Sequence, residues 1–137
     1  MDSLELVYQD AAVRLFWDAS ARCHIAEWRG FPKGERLRTA AHACLSASRE
    51  RPSAIWLADV ADFAAVDDED QHWIATEFYP LLARNGVRRV AFVIPANAPA
   101  ETSVVRTNAA YAERGCIRFE YWPTRAEAIR SLGAPPT

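Results

Sequence analysis

Two aspartates and a histidine are the side chains whose types and spacing best suit chemistry in this sequence. Asp59 and Asp62 come at the end of a nearly continuous apolar run, and His72 lies one turn into the next predicted helix. Carboxylates and an imidazole that converge beyond the carboxyl end of a strand can hold a proton or bind a polar ligand. Alternatively, Asp59 bonds loop backbone and Asp62 forms a turn. We prefer this structural interpretation, and both stay open at this point.

Other motifs for catalysis, metal binding or cofactor binding are missing from the sequence. His24, His42 and His72 are far apart, and none has a second histidine or a cysteine one helical turn away, so we predict no metal site. Cys116 has no histidine close in sequence, and we expect it to be a buried structural thiol. The chain has no glycine-rich phosphate loop, and its single lysine is Lys33, so we expect no nucleotide or other cofactor.

Aromatic residues form a second group of candidates for contact with a ligand or a partner. Tryptophan is enriched at interfaces and in ligand pockets, although it also packs in cores. Trp73 is predicted to lie at the edge of the apolar stripe of its helix, so it is the aromatic side chain that we expect to meet a ligand or partner. The full set comprises Trp17, Trp28, Trp73, Tyr79 and Trp122.

The beginning of the chain predicts three short antiparallel strands. Apolar and polar residues alternate near residues 4–8, 12–17 and 22–28, which is typical of half-buried strands. A break over residues 30–34, which contains glycine and proline, separates these strands from a different pattern.

Helices and buried strands alternate in the rest of the chain. Continuous apolar runs over residues 54–59 and 88–94 are typical of central strands covered on both faces, and a last strand is predicted near residues 117–121. Helices are predicted over residues 35–49, 67–85 and 99–114, and again after a capping-box pattern that begins at Thr124.

The sequence makes specific predictions for the second and third of these helices. Pro80 lies inside the second helical pattern and should kink it, and Asn85-Gly86 should end that helix in left-handed geometry. The residues of the third helix that we expect to face inward are Val104, Val105, Tyr111 and Ala112.

An acidic run opens the second predicted helix. Asp67 and Asp68 are followed by Glu69 and Asp70. Carboxylates at a helix start cap free N–H groups and complement the helix dipole, which is the interpretation that we prefer. A second interpretation is a permanently charged surface that one partner favours.

The order of these elements predicts the fold class. Helices that connect strands imply parallel pairing with right-handed crossovers. We therefore predict an α/β sandwich with a mixed sheet of about six strands, the first of them antiparallel, and about four helices. We place one domain over residues 1–133 and a short tail over residues 134–137.

Composition excludes several classes of protein. The formal charge is −2 and no basic stripe is present, so we expect no binding to nucleic acid. The longest apolar run, Val90 to Ile94, is too short to span a bilayer, so we expect no membrane insertion. The start of the chain lacks the pattern of a signal peptide, and the three widely spaced cysteines suggest no disulfide framework. We expect a cytoplasmic protein.

Several segments, taken together with the element order, carry a family resemblance. They are Trp28–Phe31, Ile55–Asp59, Gln71–Ile74, Phe78–Pro80, Val90–Pro95 and Ala126–Ala128. In these segments the chain resembles a divergent bacterial branch of the STAS superfamily, named for sulfate transporters and anti-sigma-factor antagonists. It also resembles the related lipid-binding Sec14-type folds.

The resemblance implies a regulatory or binding role rather than catalysis. In the anti-sigma-factor antagonists, a serine at the start of a helix after a central strand is phosphorylated. The corresponding stretch here, residues 59–68, contains neither serine nor threonine, so we predict that this switch is missing.

We therefore expect a non-catalytic binding or regulatory module that acts on a protein partner. The partner can be a second copy of the chain, because the aromatic residues exceed what a small core needs. The edge strand Leu4–Tyr8 or the helix face around Trp73 would form such a homodimer. One alternative is a carrier of a small apolar ligand, as the Sec14-type resemblance implies, and it requires an internal apolar cavity. The other is an enzyme with its site at Asp59, Asp62 and His72.

Overall fold

The computed structural model describes residues 4–113 and 115–133. The predicted tail, residues 134–137, lies outside the described residues, as does Arg114, where we expected the third helix to end. The strands are β1 (Leu4–Gln9), β2 (Val13–Asp18), β3 (Cys23–Gly30), β4 (Ile55–Phe63), β5 (Arg89–Val93) and β6 (Arg118–Trp122). The α-helices are α1 (Glu35–Glu50), α2 (Asp68–Trp73), α3 (Tyr79–Arg84), α4 (Glu101–Ala112) and α5 (Arg125–Gly133), and a π-helical turn (Ile74–Phe78) joins α2 to α3.

All of these strands form one six-stranded sheet in the order β1-β2-β3-β4-β5-β6. The first three strands pair antiparallel. From β3 onward the pairing is parallel, with Ile55 opposite Arg89 and Asp59 opposite Val93. The predicted α/β fold with a mixed sheet is confirmed. None of the described helices is long and apolar enough to cross a membrane.

The helices divide unequally between the two faces of the sheet. Because right-handed crossovers between sequential parallel strands return on the same side, α1, α2–α3 and α4 share one face, here named the helical face. Leu37, Leu82 and Val104 of these helices belong to one core cluster with Trp56 and Val90 of the sheet. The opposite face, here named the α5 face, is covered by α5, whose Ala128 packs with Ile25, Leu57 and Val93.

The inward face predicted for α4 was wrong at two positions. Val104 and Tyr111 are buried as expected, but Val105 and Ala112 are exposed. The buried stripe is completed instead by Thr107 and Asn108. These polar residues tolerate burial because they are hydrogen-bonded.

The helix around Pro80 deviates from α geometry where the sequence predicted a kink. Proline lacks an N–H donor and its ring clashes with the carbonyl four residues earlier. The wider π-helical turn Ile74–Phe78 lies directly before this position, between α2 and α3. Gly86 then has a φ of 105°, so the predicted left-handed ending of this helix is confirmed.

Asp70 joins the starts of two helices. Its side chain is buried, and its carboxylate accepts a hydrogen bond at 3.0 Å from the backbone N–H of Gly34, the N-cap residue of α1. Asp67, which we expected to cap its own helix, makes no side-chain capping bond. The acidic run therefore stabilises the neighbouring helix start through Asp70, a contact that depends on how α1 and α2 pack.

This contact predicts an unequal effect of two alanine substitutions in the same helical turn. Asp70→Ala removes a buried carboxylate, leaves the half-buried N–H of Gly34 without its partner and should lower the free energy of unfolding by about 1–3 kcal/mol. The exposed Asp68→Ala should change it by less than about 0.5 kcal/mol. Urea denaturation of both variants measures the difference, and equal losses would contradict the capping role of Asp70.

Candidate functional site

Asp59 lies near the carboxyl end of β4 and faces α5. One carboxylate oxygen accepts a hydrogen bond at 3.0 Å from the backbone N–H of Ala61, which confirms the predicted bond to local backbone. The other oxygen accepts hydrogen bonds from the Arg125 guanidinium, at 2.8 Å from Nη2 and 3.1 Å from Nε. The charge of Asp59 is thus already engaged within the protein.

Arg125 is the centre of an ion network that holds the start of α5. Its guanidinium also pairs with Glu27 of β3, and Glu27 pairs at 2.8 Å with Arg14 of β2. Burial alone would raise the pKa of Glu27, but the hydrogen bond and charge of Arg125 hold it below its ordinary value. Thr124 Oγ1, just before α5, accepts the N–H of Glu127 at 3.2 Å, as its capping-box pattern predicted.

The structure does not bring the three predicted chemical residues together. Asp62 is exposed and lies opposite Arg29 of β3 in the strand register. His72 is exposed on α2, which covers the helical face, whereas Asp59 faces the other side of the sheet. A site that uses Asp59 and His72 at once would have to reach through the sheet.

The other predicted contact residues lie around the start of α2. Asp67 is half-buried and Asp68 is exposed. Trp73 is half-buried, and its ring is 5.3 Å from the guanidinium carbon of Arg38 and 5.7 Å from the centre of the His42 ring. Both contacts come from α1, so Trp73 joins the two helices and has limited free surface for a partner.

Cys116 departs from the expectation of a buried thiol. It is exposed, in the loop between α4 and β6. Its N–H donates a hydrogen bond to the hydroxyl of Tyr111 at 3.4 Å. Within residues 4–113 and 115–133, no group of three His, Cys, Asp or Glu side chains is placed to hold a metal ion.

The outer strand β1 presents a surface that we name the β1 edge, formed by Leu4, Leu6 and Val7. These side chains are 36%, 50% and 39% exposed. In the described sheet β1 pairs only with β2, and the pairing register shifts between Leu6 and Tyr8 as at a β-bulge. The edge is therefore an outer strand of the described sheet that carries exposed apolar side chains.

An apolar cavity of about 60 Å³ lies between the sheet and the helical face. Side chains of β4, α1, the π-helical turn and α4 line it, among them Ala58, Ala41, Phe78 and Asn108. Sequence reasoning named an internal cavity as the requirement for an apolar ligand, but the pattern of apolar residues could not show where packing leaves a gap.

Comparison with known proteins gives no assignment for this chain, since no family model matches it and no curated protein matches it.

His24 is a buried residue of β3. It is 2% exposed, and its ring centre lies 4.8 Å from that of Trp17 and 5.2 Å from that of Trp56. Burial, together with the nearby charge of Arg51, lowers the pKa of His24 to about 4. The folded protein therefore favours the neutral imidazole.

This burial predicts how stability depends on pH. The contribution of neutral His24 should be complete above pH 6.5 and should be lost as the pH falls toward about 4, a change of about 3 kcal/mol. Urea denaturation between pH 7 and pH 4 measures it in the wild type and in His24→Leu. Replacing His24 should flatten the profile. An unaltered profile in His24→Leu would refute the prediction.

Proposed function

We propose that this chain is a non-catalytic, regulatory binding module that acts through protein–protein contact at the β1 edge. The observation that carries the proposal is an open outer strand with three exposed large apolar side chains. Proteins usually protect such strands with charges or with covering segments, because unpaired strands recruit other chains. An apolar edge that is retained is best explained by a partner that covers it.

The partner that we propose is a second copy of the chain. A strand related by a twofold axis pairs antiparallel with β1, so it continues the antiparallel order of β1, β2 and β3 into the second sheet. Main-chain hydrogen bonds would supply the affinity, and the apolar side chains would pack across the join.

Charge does not oppose this pairing. Glu5 is the one ionisable carboxylate on β1, and its oxygen lies 3.5 Å from the guanidinium of Arg51. Two symmetry-related β1 strands would therefore bring together neutral and apolar side chains with a carboxylate that already has a countercharge. The register shift near Val7 would restrict the alignments in which both strands pair.

The regulatory part of the proposal depends on the STAS resemblance. Antiparallel first strands followed by strand–helix repeats agree with the order on which that resemblance was based. The stretch from Asp59 to Asp68 has no hydroxyl side chain, so we propose a module whose interactions are not switched by phosphorylation there. Asp68 is exposed, and the side chain of Asp67 makes no capping hydrogen bond. Together they would present a constant negative charge to a partner.

The size of the cavity argues against a lipid carrier. An engineered apolar cavity that binds benzene has a volume of about 150 Å³, and the cavity here measures about 60 Å³. An acyl chain is larger than benzene, so this structure has no room for one at that place. The geometry therefore favours protein binding over the Sec14-type alternative.

The proposed dimer predicts that a charge on the β1 edge will separate the copies. The wild type should have twice the mass of one chain at micromolar concentration, and Leu6→Lys should have the mass of one chain. Val105→Lys is the matched control, because Val105 is similarly exposed at 41% but lies on α4. Sedimentation velocity measures all three proteins. A wild-type monomer throughout the concentration range, or a dimer that survives Leu6→Lys, would contradict the proposal.

A further inference from the structure

We propose that the cavity under the helical face is a binding site for a small apolar molecule of a few heavy atoms, such as a dissolved gas. The cavity has a volume of about 60 Å³ and lies within the main core cluster. Its wall is rich in aromatic rings, which are those of Trp28, Trp56, Phe63, Phe78, Tyr79 and Phe92.

The cavity lies against the middle of the parallel sheet. Trp56, Ala58 and Val60 of β4 line it, together with Val90 and Phe92 of β5. Two lining residues, Trp28 and Ile74, are only half-buried, while the others are buried. These two side chains are therefore the most solvent-exposed part of the wall.

The hydroxyl and amide groups of Tyr79, Thr107 and Asn108 in the wall are already paired, which favours an apolar occupant over water. The hydroxyl of Thr107 donates to the backbone oxygen of Ser103 at 2.7 Å. The amide of Asn108 accepts a hydrogen bond from Tyr79 and donates one at 3.1 Å to Tyr121. A buried water needs two to four polar partners, and these hydroxyl and amide groups are committed elsewhere.

Volume sets the class of ligand. One water-sized sphere needs about 10–15 Å³, whereas benzene occupies an engineered apolar cavity of about 150 Å³. The cavity here, at about 60 Å³, lies between these limits. It admits a gas or a very short hydrocarbon and excludes an aromatic ring.

The wall includes an irregular helical segment. Ile74 and Phe78, the first and last residues of the π-helical turn, both line the cavity. Such turns are rare and are frequent at functional sites. An occupant would contact this turn directly, so its binding would affect the conformation of α2 and α3, which the turn connects.

Xenon is the probe for this site, since it is apolar and has no hydrogen-bonding groups. Heteronuclear NMR spectra recorded under increasing xenon pressure should show saturable shifts at Val60, Leu82 and Val104, which line the cavity. Benzene should produce no such shifts, because it is too large. Absence of saturable shifts with xenon, or equal saturation with benzene, would overturn the proposal.

A pair of alanines in adjacent strands provides the matched control. Ala58 lines the cavity, and Ala26, its partner in the β3–β4 register, is also buried but does not. Ala58→Val should fill the cavity, abolish the xenon shifts and keep the melting temperature of the wild type. Ala26→Val should overpack the core and lower the melting temperature while keeping the shifts.

A second filling variant covers the case in which Ala58→Val fails to fold. Ala41→Val enters the same cavity from α1, on the opposite wall, and should also abolish the xenon shifts. Xenon shifts that persist in a folded filling variant would show that the gas binds elsewhere, and would overturn the assignment.

Discussion

The sequential order of the four parallel strands is the constraint on which the rest of this structure depends. Because each parallel strand lies next to the strand that precedes it in the sequence, right-handed crossovers place every connecting helix on the same face of the sheet. Three helical connections therefore cover the helical face, and the α5 face receives only the helix that follows the last strand. One short helix must then be held firmly against a sheet much wider than itself.

Ion pairs at the start of α5 and a hydrogen bond near its end meet this need. At its start, Arg125 pairs with Asp59 and Glu27. Toward its end, Arg89 of β5 pairs with Glu120 at 2.7 Å and also donates to the Ser131 hydroxyl at 3.3 Å. Asp59, which suggested chemistry in the sequence, thus helps to hold α5 on the sheet. The two features that we propose to be functional, the β1 edge and the cavity under the helical face, lie elsewhere.

The fold could be predicted because its signals are local. Period-two alternation marked β1 to β3, and continuous apolar runs marked β4 and β5 as strands covered on both sides. The end of β4 could not be predicted, because residues as far as Phe63 are strand only through pairing with Arg29 and Gly30 of β3. The inward face of α4 was missed for a related reason, since Asn108 is buried through hydrogen bonds to Tyr79 and Tyr121.

The candidate site was less predictable than the fold because it depends on which face each side chain occupies. Asp59 and His72 are close in sequence, yet the pleat of β4 and the side of the crossover place them on opposite faces. The contact between Asp70 and Gly34 likewise requires α1 and α2 to be packed before it exists. By contrast, the sequence suggested the strand Leu4–Tyr8 as a dimer edge, but its alternation predicted a half-buried strand, and the structure shows Leu4, Leu6 and Val7 exposed.

Amide hydrogen exchange as a function of protein concentration tests the central claim most directly, because it reports on β1 itself in the unmodified chain. If two copies join through this strand, exchange at the outward-facing amides of β1 should slow as the concentration rises through the micromolar range. Exchange in the exposed start of α2 should stay constant. Exchange in β1 that is equally fast at every concentration would contradict the account.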